Sequence, residues 1–252
     1  MLYLLNQYSE IINEINFTKF SYVQDKYSGI FLPIPFDEYW LSKPKIMLVG
    51  RETAGWNTNN HKNTLKRISH FVENNNIYTI IDEAINRYKQ HLQSDSRQKI
   101  ITKSKSRFKQ FYFKLAREIN IDPKSIFYAN LFAWDYNKQT PLNRPDNEFQ
   151  EIKNISIKLL ATQINYLKPD FIIFATGFSR IDTIIKELCN QYLGGYETSA
   201  PVIHQKLWEF RAANATCFRI AHPRAMYGHQ EYRIEVIERI KTKIEKEGDL
   251  KL

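Results

Sequence analysis

The chain has 252 residues and only two cysteines, Cys189 and Cys217. Two thiolates cannot supply the four ligands of an iron–sulfur cluster or an all-cysteine zinc site, so no iron–sulfur cluster is expected. Both cysteines lie among apolar residues and read as buried thiols rather than a disulfide. The six histidines show no metal-ligand spacing, and neither a metal nor another cofactor is expected. No apolar run approaches the roughly 20 residues that span a bilayer. Residues 1–5 are too short for a signal peptide, so a cytoplasmic protein without a membrane partner is expected. Also missing are G-x-S-x-G, G-x-x-x-x-G-K-[ST] and G-x-G-x-x-G, which argues against an α/β hydrolase or a common nucleotide-binding enzyme. No repeat, low-complexity tract or Pro/Gly-rich linker divides the chain. A single domain over residues 1–252 and a monomer are therefore expected.

The charge present is mostly of one sign. Thirty-six Lys and Arg against 27 Asp and Glu leave a net charge of +9, a balance that favours polyanionic partners. Between Arg97 and Arg117 stand eight basic residues and no acid, among them Lys103, Lys105, Arg107 and Lys109. Phe108, Phe111, Tyr112 and Phe113 interleave with them. One helix can bury the aromatics and present the lysines, so a solvated basic face and a phosphate-contacting stripe are both open readings.

Four apolar runs of strand length, 45–49, 125–131, 170–175 and 216–221, alternate with helix-like sequence. Helical patterning covers 2–15, 64–90 (broken near 74–76), 107–119, 147–167, 179–192 and 231–247. Pro123 and Pro169 each end a helix just before a strand. Such alternation predicts an α/β fold, a three-layer α/β/α sandwich around a mainly parallel four-stranded sheet. Residues 207–210 add a short antiparallel strand. In such sheets ligands bind where the chain leaves the carboxyl ends of the strands. The four exits read GRETAGW (50–56), NLFAWD (130–135), TGFSR (176–180) and HPRAMYG (222–228).

These exits, spanning residues 44–228 in order, resemble those of the uracil-DNA glycosylase superfamily. That family carries G-x-[D/N]-P after its first strand, an Asn ending a later strand, a K-P-x strand closing on a Gly turn, and an H-P-S loop. The matching pieces are Gly50-Arg51-Glu52-Thr53, Asn130, Lys168-Pro169 through Gly177, and His222-Pro223-Arg224. The resemblance implies a glycosylase-like fold and a monofunctional DNA N-glycosylase that flips out a pyrimidine and hydrolyses its N-glycosidic bond. No lysine stands at the reacting positions, so a Schiff-base lyase is not indicated.

Breaking that bond leaves an anionic base and an oxocarbenium-like sugar, which calls for a hydrogen-bond donor to the base and an anion that orients water. On the resemblance, His222 stabilises the departing base and Glu52 places the water, while Asn130 reads the base's polar edge because an amide both donates and accepts. Each has a plainer alternative: a structural hydrogen bond for His222, an ion pair with a neighbouring Arg for Glu52, and a cap on its own turn for Asn130. Met226 or Tyr227 is a candidate wedge for the gap left by the flipped base. Trp56, Phe132 and Trp134 are candidates to stack on it, with core packing the plainer explanation for Phe132. Thr53, Ser179, Arg180 and Arg224 are candidate contacts to the DNA backbone, Gly177-Phe178-Ser179 through N–H groups at a helix start.

Three departures from the family pattern bear on substrate. Glu52 stands for Asp or Asn, moving the carboxylate by roughly 1.5 Å. Thr53 replaces the loop proline, and Arg224 stands where Ser is frequent. Ala54 occupies the place where the uracil-specific branch has a Tyr that blocks the pyrimidine 5-position. A 5-substituted pyrimidine is therefore expected to fit, such as a bulky modified cytosine of phage DNA. Repair and defence against foreign DNA both remain open. The alternative from another class is a non-catalytic, base-sensing DNA binder on the same fold.

Overall fold

Residues 46–50 read Ile-Met-Leu-Val-Gly and all five are buried. A strand covered on both faces needs such an unbroken apolar run, because neither side meets water. In the computed structural model, which describes residues 1–21, 25–56, 64–225 and 227–249, this segment is β1 (Ile46–Gly50). The other strands are β2 (Ile126–Asn130), β3 (Phe171–Phe174), β4 (Glu197–Thr198), β5 (Leu207–Ala212) and β6 (Ala215–Ile220). The helices are α1 (Leu2–Asn13), α2 (Asp37–Leu41), α3 (Leu65–Glu73), α4 (Ile77–Lys89), α5 (Arg107–Ile119), α6 (Asp146–Leu167), α7 (Ile181–Tyr192) and α8 (Gln230–Asp249).

The chain divides into two compact units, although its sequence carries no linker. One holds Met1–Ile34, Arg51–His91 and Ala129–Leu167; the other holds Pro35–Gly50, Leu92–Tyr128 and Lys168–Leu252.

The second unit carries the sheet, in the order β2-β1-β3-β6-β5-β4. β1 pairs with β3 and β3 with β6, both parallel, with Val49 beside Phe174 and Phe174 beside Arg219. The expected four-stranded sheet is corrected to six strands among the described residues, and the sheet is mixed. β5 and β4 extend it antiparallel. The antiparallel strand expected at 207–210 is β5, and it runs to Ala212. Ala213 and Asn214 then turn the chain with φ of +49° and +65°, the paired left-handed residues that a two-residue hairpin requires. β4 is two exposed residues, too short for any hydrophobic pattern to reveal.

Alternate residues of each strand project to one face. Ile46 and Leu48 of β1, Phe171 and Ile173 of β3, and Phe218 and Ile220 of β6 join Phe111 and Leu115 of α5 and Val236, Ile237 and Ile240 of α8 in one buried cluster. Ser106 caps α5 through its Oγ, and Asn120, at φ +58°, ends it in the left-handed conformation, which Asn tolerates better than most residues. On the β6 residues of opposite parity sits α7. Its Cys189 lies near Cys217, both free and buried, and burial pushes the Cys189 thiol up to about 12. Helices thus lie on both faces of the sheet within this unit.

Arg219 on β6 is only 1% exposed and meets Asp182 on α7, with Nε 2.7 Å from Oδ1 and Nη2 donating to Oδ2 at 2.9 Å. Removing one member of such a pair leaves a buried charge uncompensated. Asp182→Asn is expected to cost about 2–3 kcal/mol in urea unfolding, at or below the lower end of the range for buried pairs, because the Asp182 side chain is 36% exposed.

The first unit is helical: α1 packs on α6 and α4, and α3 on α4. The break between α3 and α4 falls where the sequence predicts it, with Asn75 at φ +52°. Two buried carboxylates of α6 fix the chain that precedes the sheet. Glu148 accepts from Tyr27 Oη and Arg144, and Glu151 accepts from the Asn16 backbone N–H and Lys19. No helix among the described residues is long and apolar enough to cross a membrane.

Candidate functional site

Because β1, β3 and β6 run parallel, their carboxyl ends share one edge of the sheet. The segments following β1 and β2 belong to the helical unit, and those following β3 and β6 to the sheet unit.

In the helical unit the two exits are tied together by a residue that the sequence reading passed over. Asp135 is 1% exposed. Its Oδ2 accepts from Thr53 Oγ1 at 2.6 Å and from the Gly55 N–H at 2.8 Å, and its Oδ1 accepts from the Lys138 N–H at 2.8 Å. Ser28 exchanges bonds with its backbone, and the Phe132 N–H donates to the Arg51 carbonyl. Gly55, at φ +81°, lets the loop bend so that its N–H meets the carboxylate. The signal was present as a single acid closing the apolar run Leu131–Trp134, since a charge dragged into a core must be met by donors. Thr53, expected at the DNA backbone, is buried and spends its hydroxyl on Asp135.

Glu52 takes its plainer alternative. Arg51 grips it with Nε donating to Oε2 at 2.6 Å and Nη2 donating to Oε1 at 3.0 Å. The Glu52 side chain is 10% exposed. A carboxylate has about four lone-pair directions, so a bidentate guanidinium leaves each oxygen able to accept from water.

Asn130 ends β2, is 5% exposed, and neither Oδ1 nor Nδ2 has a hydrogen-bond partner among the described residues. It does not cap its own turn. Leaving a buried polar group unmet costs about 1–3 kcal/mol, and the great majority of buried polar side-chain atoms are satisfied.

The aromatic candidates divide. Phe132 is fully buried against Phe149, their ring centroids 6.1 Å apart, and Trp134 is also fully buried. Both are core residues here, so the stacking role expected of them is corrected. Trp56 is half-buried, edge-on to Phe31 at 4.9 Å, with the Arg87 guanidinium 5.1 Å from its ring centroid. Ala54 is exposed.

In the sheet unit, the Gly177 N–H donates to the Ile220 carbonyl at 3.1 Å. It is thereby spent within the fold, which corrects its assignment to a DNA phosphate. Gly177 has φ +86°, and a Cβ there would lie 3.9 Å from the His222 backbone nitrogen, so the turn after β3 adjoins the loop after β6. His222 is half-buried, and its Nδ1 accepts the Arg224 N–H at 3.1 Å. A ring nitrogen that accepts carries no proton, so the neutral imidazole holds its proton on Nε2 as a donor. The structural hydrogen bond expected as an alternative is therefore present, and it also orients the ring. Ser179, Arg180, Arg224 and Tyr227 are exposed, Tyr227 at 97%, and Met226 lies outside the described residues.

No protein-family model matches the chain, and no curated protein matches it. The site is read from its own chemistry.

The basic stripe holds both of its open readings. Phe111, Tyr112 and Phe113 are buried by α5, whereas Lys103, Lys105 and Arg107 are exposed and Lys109 is half-buried. The helical unit's exits hold a buried amide with no partner among the described residues and a carboxylate with spare lone pairs; the sheet unit's exits hold an imidazole N–H donor.

Proposed function

We propose that this protein is a monofunctional DNA N-glycosylase that releases a flipped-out pyrimidine and leaves an abasic site. The observation that carries the reading is Asn130, a nearly fully buried amide at a strand end with neither donor nor acceptor met among the described residues. A pyrimidine edge offers an adjacent donor and acceptor, which one amide matches. Glycosidic cleavage then needs charge stabilisation where the base departs. His222 Nε2–H supplies a donor to the base oxygen as negative charge develops, its tautomer held by the Arg224 N–H. Glu52 holds the attacking water through the lone pairs that Arg51 leaves open, and its charge favours the cationic sugar. An uracil-DNA-glycosylase-like fold is part of the same proposal. Ala54 leads us to infer a 5-substituted pyrimidine as substrate.

Glu52→Gln keeps the size of the side chain and removes its charge. It is expected to lower single-turnover base release by about 10²-fold while DNA affinity stays within a few-fold. Alkali-labile sites formed on modified oligonucleotides measure the first, and fluorescence anisotropy the second. The neutralising Arg51 pair favours a second reading, a base sensor without chemistry. Such a protein binds DNA, never generates alkali-labile sites, and shows no loss on this substitution.

A further inference from the structure

Beside the loop that follows β6, the sheet unit carries an open cleft of about 240 Å³ between α5 and α8. Its walls include Arg107, Gln110 and Lys114 of α5, Pro223 next to His222, and Gln230 and Arg233 of α8. No carboxylate lines it among the described residues. Arg233 Nη1 donates to the Ala225 carbonyl at 2.9 Å, and Arg107 Nη1 donates to Gln110 Oε1 at 3.3 Å. Neither guanidinium has a carboxylate partner among the described residues; Glu118, which feels the Lys114 charge, is itself paired with Arg117. Burial and the adjacent Arg107 charge both press the Arg233 cation toward losing its proton. Other half-buried arginines of this chain are paired: Arg239 meets Glu209 and Glu235, and Arg144 meets Glu148.

Like charges gathered around a polar hollow lower their energy by taking up an anion. The volume lies below the roughly 300–1,000 Å³ of pockets that enclose drug-sized ligands, so the cleft suits one small anionic group. Arginine's planar fork fits a phosphate in particular.

We propose that this cleft binds a backbone phosphate of the DNA strand and, through Arg233 and Ala225, fixes the loop carrying His222. The inference rests on the glycosylase reading for the identity of the strand, but its test does not depend on base release. DNA affinity is measured by anisotropy from low to physiological salt for the wild-type chain, Arg107→Gln, Arg233→Lys and Lys241→Gln. Arg107 is exposed, so its variant keeps the fold, and Arg233→Lys keeps the charge while losing the fork. Lys241, on the same helix and already paired with Glu238, is the control.

Each phosphate contact contributes about −0.9 to the log–log salt slope on duplex DNA. Arg107→Gln is expected to flatten that slope by about one and Arg233→Lys to weaken binding several-fold, while Lys241→Gln leaves both near wild type. Equal slopes in wild type and Arg107→Gln overturn the inference. So does saturable thermal stabilisation by inorganic phosphate that Arg107→Gln abolishes without any change in DNA binding, because the ligand is then free phosphate. A flattened slope without any base release supports the cleft and counts against the glycosylase reading alone.

Discussion

Replacing His222 by alanine is expected to lower single-turnover base release by about 10²–10³-fold, the usual cost of losing one donor aimed at developing charge. The ring is half-buried and its Nδ1 accepts the Arg224 N–H; DNA affinity is expected to stay close to wild type on truncation, with circular dichroism checking that the fold is kept. His222→Gln keeps a donor and is expected to recover part of the rate. The conservative variant separates this role from a structural one: equal loss in His222→Ala and His222→Gln, with both folded as wild type, assigns the rate to another group.

Asn130→Leu is expected to abolish base release and at the same time stabilise the protein. The two side chains have the same number of heavy atoms, and the substitution removes a buried donor and acceptor that meet no partner among the described residues. Relief of that desolvation is worth about 1–3 kcal/mol, visible as a higher midpoint in urea. Asn130→Asp, equal in size, buries an unpaired carboxylate and is expected to lower the midpoint. A residue kept for stability gives the opposite pattern, because its removal weakens the fold. A rise in stability with loss of activity identifies an amide retained for a ligand.

Much of the sheet unit was legible in the sequence, for a physical reason. Buried parallel strands such as 46–49 and 171–174 must be apolar on both faces, so each stands out as a run. Helices announce their ends through Pro123 and Pro169. β4 escaped because two exposed residues carry no pattern. The division into two units escaped as well, because the chain passes between them inside β2 at 128–129 and directly at the end of α6 at 167–168 and not through a flexible linker.

The site was legible by residue type and less so by partner. Asn130 and His222 stood out as polar groups at strand ends. Their hydrogen bonds depend on loop geometry that spacing does not encode. Glu52 could be read either as a water-holding carboxylate or as the partner of Arg51, and side-chain placement had to decide. Phe132 and Trp134 are aromatic in either role, and only their burial assigns them to the core. Asp135 and Arg233 were passed over because a single charge in a sequence does not reveal what it faces.

The central claim is that the exits from the sheet release a base from DNA. Its most direct measurement is mass spectrometry of the small molecules freed when the protein is incubated with DNAs carrying uracil, thymine mispairs, 5-hydroxymethylcytosine or its glucosylated form. The account predicts a free 5-substituted pyrimidine, abasic sites in equal amount, and no product from the Asn130→Leu protein. Recovery of uracil alone contradicts the open position at Ala54, and DNA bound tightly with no base released from any of them contradicts the glycosylase itself.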